Sequence, residues 1–193
     1  MDMTFASNWQ GERTPVSDGL LSSHAPSMSP PAVDSDEFKQ AMRTLAGGVA
    51  IVTSGHGRNR RGMTVSAVTS VSAEPPCLLI GVNTSAEAHG TILETGAFTV
   101  NLLGIEQKEL AMRFAGQGGL RGLERFATGS WIDDGPLGLP LLEDALCAME
   151  CEIMQSHLVG THRLIVGRIV HSHTRSGRPL INYQGMLQTL EAA

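Results

Sequence analysis

From Val49 onward the chain alternates short apolar runs with glycine-rich breaks, a rhythm that predicts strands more than helices. Val49-Ala-Ile-Val-Thr53 is a short apolar strand, and GHGRNRRG at 55–62 is a basic turn bounded by glycines. GMTVSAVTSVSAEPP at 62–76 then alternates as a half-buried strand, and the two strands are predicted to form a β-hairpin. One face of the second strand carries Thr64, Ser66, Ser70 and Ser72, with only Val68 apolar. Such a face meets either water or a polar ligand that needs hydroxyl and backbone contacts at close range. Glu74-Pro-Pro76 breaks the pairing, and Cys77–Val82 is a continuous apolar run, as in a strand covered on both faces.

Residues 86–95 predict a short helix closed by Gly96, 98–103 a strand, and 105–115 a helix with Leu110 and Phe114 one turn apart. Residues 116–143 are glycine-rich and irregular, a length that points to a functional or dimer-contacting loop. Long strands are predicted at 145–154 and 163–172, and a short one at 179–182. Ahead of all these, Asp34 or Ser35 caps a predicted helix whose Phe38, Met42 and Leu45 recur at i, i+4, i+7, with Gly47-Gly48 ending it. Residues 1–33, rich in Ser, Pro, Gly and Met, have no apolar period and are expected to be a disordered or loosely attached arm before a domain at 34–193. About seven strands with short inserted helices predict a mainly-β barrel.

Composition narrows the function. The 193 residues are 41% hydrophobic and 17% charged, with a net charge of −5, so a sizeable core is available and a general nucleic-acid-binding face is not expected. No run of eighteen apolar residues predicts a membrane span. The N-terminal stretch lacks the apolar core of a secretory signal, and three cysteines do not form a disulfide framework; the reducing cytoplasm is the expected location.

Several chemistries lack their motifs. Neither GHGRNRRG nor GQGGLRG (116–122) has the spacing of a dinucleotide fingerprint, and the chain has no P-loop and no nucleophile elbow. Cys147 and Cys151 lie four strand residues apart, roughly 13 Å, too far for a disulfide or a shared zinc ion. His171 and His173 share a strand face but have no evident third ligand, so no metal is expected. His162 stands in Gly160-Thr-His162 at the entrance to the strand RLIVGRIV, where it can reach into a site. Arg113, taken alone, reads as a surface arginine whose stem lies along the helix.

GGVAIVTS, GMTVSAVTSVSAEPPCLLIGVN, GAFTVNLL, RFA, ERF, LEDALCAMECEI and GTHRLIVGRIV, in this order, resemble the flavin reductase family, the small NAD(P)H:flavin oxidoreductases of two-component monooxygenases. The resemblance runs from about residue 36 to 187. It implies the FMN-binding split barrel, a Greek-key barrel that dimerises, with NADH or NADPH reducing FMN or FAD for a separate monooxygenase. By motif position it places Thr64, Val65, Ser66 and Ala67 beside the flavin ring and ribityl chain. It places Asn83, Thr84, Ser85 and His89 near the ribityl and phosphate groups, Arg113 on the phosphate, and His162 near the nicotinamide and the flavin ring. Small residues at 64–67 would let backbone N–H groups approach the ring edge. Two departures stand out: relatives often have Gly-Asp-His where this chain has Gly160-Thr161-His162, and the family's Tyr-His-x-Gly-Arg-Tyr is here Asn182-Tyr-Gln-Gly-Met-Leu187. A pyridoxamine phosphate oxidase-like flavoenzyme, or a non-catalytic flavin- or haem-binding protein, would share the barrel.

Overall fold

The computed structural model describes residues 30–190; most of the expected N-terminal arm lies outside them. The described chain runs α1 (Ser35–Arg43), β1 (Gly47–Gly48), β2 (Ala50–Ser54), β3 (Arg61–Val65), β4 (Val68–Ala73), β5 (Pro76–Asn83), α2 (Glu87–Thr95), β6 (Ala97–Leu102) and α3 (Lys108–Phe114). After a looped stretch with a two-residue ribbon, β7 (Trp131–Ile132) with β8 (Leu141–Leu142), come β9 (Cys147–Val159), β10 (His162–Thr174), β11 (Ile181–Tyr183) and β12 (Met186–Gln188).

Seven strands form one antiparallel sheet in the order β3-β2-β6-β9-β10-β5-β4. The predicted β2–β3 hairpin forms, with Ile51 opposite Thr64 and Ser54 opposite Arg61. The single strand expected over 62–76 does not. It is two strands: β3 pairs with β2, whereas β4 pairs with β5 at the far edge of the sheet. Only Ser66 and Ala67 join these two edges, and the Gly81 N–H donates to the Ala67 carbonyl at 2.9 Å, which draws the sheet round into a barrel. The alternation hides the break because its period runs on unchanged while the hydrogen-bonding partner changes. Glu74-Pro75-Pro76 is consequently the tip of the β4–β5 hairpin, not the end of the β2–β3 pair.

The core has two compartments. Ala50, Val52, Leu78, Ile80, Val82, Phe98, Val100 and Ile165 fill the barrel with Ala88 and Ile92 of α2. Val49, just before β2, and Ile51, on the opposite face of β2, pack with Leu103, Ala111, Phe114, Leu141 and Leu142. This is why β2 reads as continuously apolar: both its faces are covered. Gly62 permits the second layer, since a Cβ there would lie 2.6 Å from the Phe114 ring. Two cysteines belong to the barrel wall, and burial pushes the Cys151 thiol up to about 12, with Cys77, Glu150 and Cys147 adding to the shift.

A polar row crosses the sheet in register. Thr53 lies opposite Thr99, and Thr99 opposite Glu150, all fully buried. Both threonine hydroxyls touch each other and donate to the Pro140 carbonyl, at 2.6 and 2.9 Å. The Glu150 carboxylate accepts the N–H groups of Leu137 (3.0 Å) and Leu139 (3.1 Å), and Asn101 Oδ1 accepts that of Leu142 (2.8 Å). The row therefore clamps the 135–142 segment onto the barrel. Gly135 lies so close to the Glu150 carboxylate that a side chain at 135 has no room.

Two terminal expectations change. In α1, the Asp34 carboxylate accepts the N–H groups of Asp36 and Glu37 as an N-cap, and these bonds, Glu37 first, hold it below the usual carboxylate range. The apolar residues that recur at helical spacing, Phe38, Met42 and Leu45, are each exposed, and α1 buries no residue. At the other end, the predicted strand at 179–182 is a hairpin, β11–β12, turned at Gln184-Gly185, where both φ angles are positive (53° and 76°).

Candidate functional site

The break between β3 and β4 creates the site. The β2–β3 ladder ends at Val65 and the β4–β5 ladder begins at Val68, so the N–H groups of Ser66 and Ala67 belong to neither. Both residues are exposed, and both side chains are small. Ala67 lies against Gly81 of β5, where a Cβ would meet the Ala67 methyl at 3.0 Å. Leu78, Ile80 and Val82 point into the barrel, so Gly81 and Asn83 face out beside this patch.

Two residues beyond Gly81, roughly 7 Å along the strand, Asn83 is paired with His162, the first residue of β10. The loop after β5 is tied to the turn before β10: Thr84 donates both its N–H (3.0 Å) and its hydroxyl (3.1 Å) to the Thr161 carbonyl. Asn83 Oδ1 accepts the Ser85 N–H (2.9 Å) and hydroxyl (2.8 Å), which fixes the loop and leaves the Asn83 amide N–H₂ to donate outward. Thr161 Oγ1 lies 3.0 Å from His162 Nδ1. The threonine that stands where relatives often carry aspartate thus still orients the imidazole, by a neutral hydroxyl.

Other expected site residues have structural partners. Thr64 donates its hydroxyl to the Ala111 carbonyl of α3 at 2.6 Å, and Val65 is buried in the barrel core. His89 accepts from Arg163 Nε at 3.2 Å, while Arg163 Nη1 donates to Ser156 (3.2 Å). Arg113 donates to the Glu124 carbonyl from Nη2 (2.5 Å) and Nε (3.2 Å), and from Nε to the Arg125 carbonyl (3.1 Å). It lines a different hollow, with Glu109 and Gln117.

A cleft of about 300 Å³ starts at Ser85 and Ala86, is floored by Thr64 and Phe114, and is walled by Arg121 and Arg125. Arg125 holds the wall in place by donating to the Leu120, Gly62 and Phe114 carbonyls. Phe114, Phe126 and Trp131 stack beneath it with ring centroids 4.9 to 5.3 Å apart, and Arg60 lies 5.7 Å over Phe126 while pairing with Asp133. The guanidinium of Arg121 has no hydrogen-bond partner among the described residues, so it is the cation left to face a ligand. Sequence reading missed it: GQGGLRG was weighed only as a nucleotide motif, and the signal would have been an arginine in a loop pinned by neighbouring aromatic residues.

The cleft and patch fit a flavin on chemical grounds. Exposed peptide N–H groups at Ser66 and Ala67 match ring-edge acceptors, polar groups at 83–85 match a polyhydroxyl chain, and Arg121 matches a phosphate. Such a barrel and site define a flavin-binding oxidoreductase of the split-barrel class. A family model described as a flavin reductase like domain matches residues 42–191. The chain belongs to the flavin reductase family of enzymes. It is 37% identical over 165 residues to an FMN reductase (NADH), RutF, of Pseudomonas syringae pv. syringae strain B728a, covering 85% of this chain and 91% of that protein. It is 35% identical over 164 residues to an NADH-dependent flavin reductase of Rhodococcus sp, covering 83% and 89%. Among solved structures, BorF, the flavin reductase component of a bacterial two-component tryptophan halogenase, superposes with a TM-score of 0.76 at 30% identity, over 83% of this chain and all of that one.

Proposed function

We propose that this chain uses NADH to reduce a flavin held across the Ser66–Ala67 patch and the Arg121 cleft, and supplies the reduced flavin to a separate monooxygenase component in the cytoplasm. The observation that carries the reading is the pairing of Asn83 with His162 beside a gap in the sheet whose peptide N–H groups no strand uses. When bound, the flavin supplies the hydride-accepting ring. The chain itself binds and orients. Ser66 and Ala67 donate N–H groups to the ring edge, the Asn83 amide and the 84–85 loop hold the ribityl chain, and Arg121 pairs with the phosphate. His162, steadied by Thr161, positions the nicotinamide. None of these contacts is covalent, which suits a flavin that arrives and leaves.

Replacing Arg121 by alanine tests the phosphate assignment. Fluorescence titration is expected to show FMN binding weakened roughly tenfold, in line with loss of a charge-assisted hydrogen bond, and riboflavin binding unchanged. Equal effects on both would remove Arg121 from the phosphate site.

The reading includes a homodimer. Val71 on the free edge strand β4, and Met154, Leu158 and Val159 toward the end of β9, are exposed apolar residues whose burial against a second copy would be favourable. Sedimentation equilibrium is expected to give twice the 20.5 kDa chain mass; a monomer at micromolar concentration would contradict it.

A further inference from the structure

The β9–β10 hairpin outruns the strand that supports it. The last rung between β6 and β9 joins Ala97 to Glu152, and the Ile153 N–H then donates to the Gly96 carbonyl at 2.9 Å. Beyond that point, residues 154–159 of β9 have β10 as their one strand neighbour among the described residues. The hairpin turns at Gly160-Thr161 (Gly160 φ +56°), and His162 follows as the first residue of β10. His162 therefore stands at the tip of this arm, where the ladders of β10 with β5 and with β9 both end.

Arg163, the next residue, stitches the arm to its surroundings. Successive strand residues face opposite sides. His162 shares the outward face of Asn83, whereas Arg163 is opposite Val82 and shares the barrel-facing side with Ile165. Its half-buried side chain lies at the end of the barrel that α2 covers. Arg163 Nε donates to His89 Nε2 of α2 at 3.2 Å, and Nη1 donates to Ser156 Oγ of β9 at 3.2 Å. Ser156 is opposite Ile165, so it too faces the barrel, and it belongs to the part of β9 that β6 no longer covers. One planar fork thus ties the start of β10 to a strand and to a helix.

The chemistry of that fork is specific. A guanidinium keeps all its protons, so His89 Nε2 is the acceptor and the imidazole carries its proton on Nδ1. No carboxylate pairs with Arg163 among the described residues, whereas Arg60, Arg168 and Arg178 each have one. Both acceptors on Arg163 are neutral. What they draw from the arginine is direction, two hydrogen bonds from one rigid plane. A lysine, with a single ammonium on a flexible stem, does not reproduce it.

We propose that Arg163 is a positioning residue for flavin reduction: its clamp on His89 and Ser156 fixes the start of β10 and, through it, the placement of His162. The inference rests on the reading in which His162 holds the nicotinamide. Arg163 faces away from that site and touches no reactant, so it acts on the rate and not on flavin binding. In the full-length chain, stopped-flow absorbance measures FMN reduction at saturating NADH, and fluorescence titration measures FMN affinity. Arg163→Leu and His89→Leu are each expected to slow reduction about tenfold, with FMN affinity within about twofold of the starting value. His89→Gln, whose amide oxygen accepts from Nε, is expected to recover most of that loss, and Arg163→Lys to fall between. In a chain that already carries His162→Ala, Arg163→Leu is expected to add less than about twofold, since the clamp then has no imidazole to place. Circular dichroism checks that the variants fold; if Arg163→Leu does not, His89→Leu, alone and with His162→Ala, makes the same comparison. A tenfold loss that persists without His162 would show that the clamp acts elsewhere and overturn the proposal. So would His89→Gln as slow as His89→Leu, which would assign the loss to the imidazole itself. A normal rate in His162→Ala would refute the reading of His162, and this inference with it. A slowed His162→Ala beside clamp variants of normal rate would overturn this inference alone.

Discussion

Changing His162 to alanine is expected to slow flavin reduction by about a hundredfold while flavin affinity shifts by no more than about twofold. The split follows from where His162 sits. It is the first residue of β10, paired with Asn83, exposed, and held at Nδ1 by Thr161. None of the groups assigned to the ring edge or the phosphate depends on its side chain. In the proposed reading its contribution is to fix where the nicotinamide lies, and misplacement of reacting rings by an ångström costs about that factor. Thr161→Val, which removes only the hydroxyl that orients the imidazole, is expected to give a smaller loss in the same direction. Stopped-flow absorbance measures the rate and fluorescence titration the affinity. An unchanged rate in His162→Ala would take this residue out of the reaction.

The largest stability effect is expected at Glu150. Its carboxylate, fully buried on β9, is the acceptor for the Leu137 and Leu139 N–H groups. Glu150→Ala strands both donors away from water, at about 1–3 kcal/mol each. A total loss of about 3 kcal/mol would lower Tm by roughly 6–12 °C in a domain of this size. Glu150→Gln keeps one oxygen able to accept and is expected to fall between the two. The row of Thr53, Thr99 and Glu150 clamps a segment that runs straight on from Trp131, and Trp131 stacks with Phe126 and Phe114 under the Arg121 wall. Glu150→Ala is therefore also expected to weaken FMN binding. Calorimetry that found wild-type Tm in Glu150→Ala would show that the 135–142 segment is held by something else.

Much of this architecture was legible in the sequence. The β2–β3 hairpin, the apolar strand β5, α2 with its Gly96 stop and the long strands β9 and β10 all follow from period, breakers and turn glycines. What escaped was information about partners, not about local shape. The alternation at 62–73 gives no sign that the chain changes ladder at Ser66, because a pleat looks the same whichever strand it pairs with. Glu150 and Glu152 lie two residues apart on one face of β9, yet Glu152 meets Arg168 at the surface while Glu150 is covered by a loop folded over from upstream. The apolar stripe of α1 reads as a core face and is exposed in the single chain.

The site divides along the same line. Ser66, Ala67, Asn83, Thr84, Ser85 and His162 come together because short-range pairing of β5 with β10 and the Thr84–Thr161 bonds assemble them. Arg113 carried the expected phosphate contact by motif position, but its guanidinium is tied to the 124–125 carbonyls, and Arg121, brought round by that same loop, faces the cleft instead. The carbonyl groups that hold the Arg113 guanidinium come from the 124–125 loop, and the sequence does not locate them.

The most direct test is to mix the purified chain anaerobically with FMN and NADH and follow the absorbance of oxidised flavin. The account predicts rapid bleaching at a rate that saturates with NADH and depends on His162. Flavin that binds in the Arg121 cleft yet stays oxidised under excess NADH would contradict it.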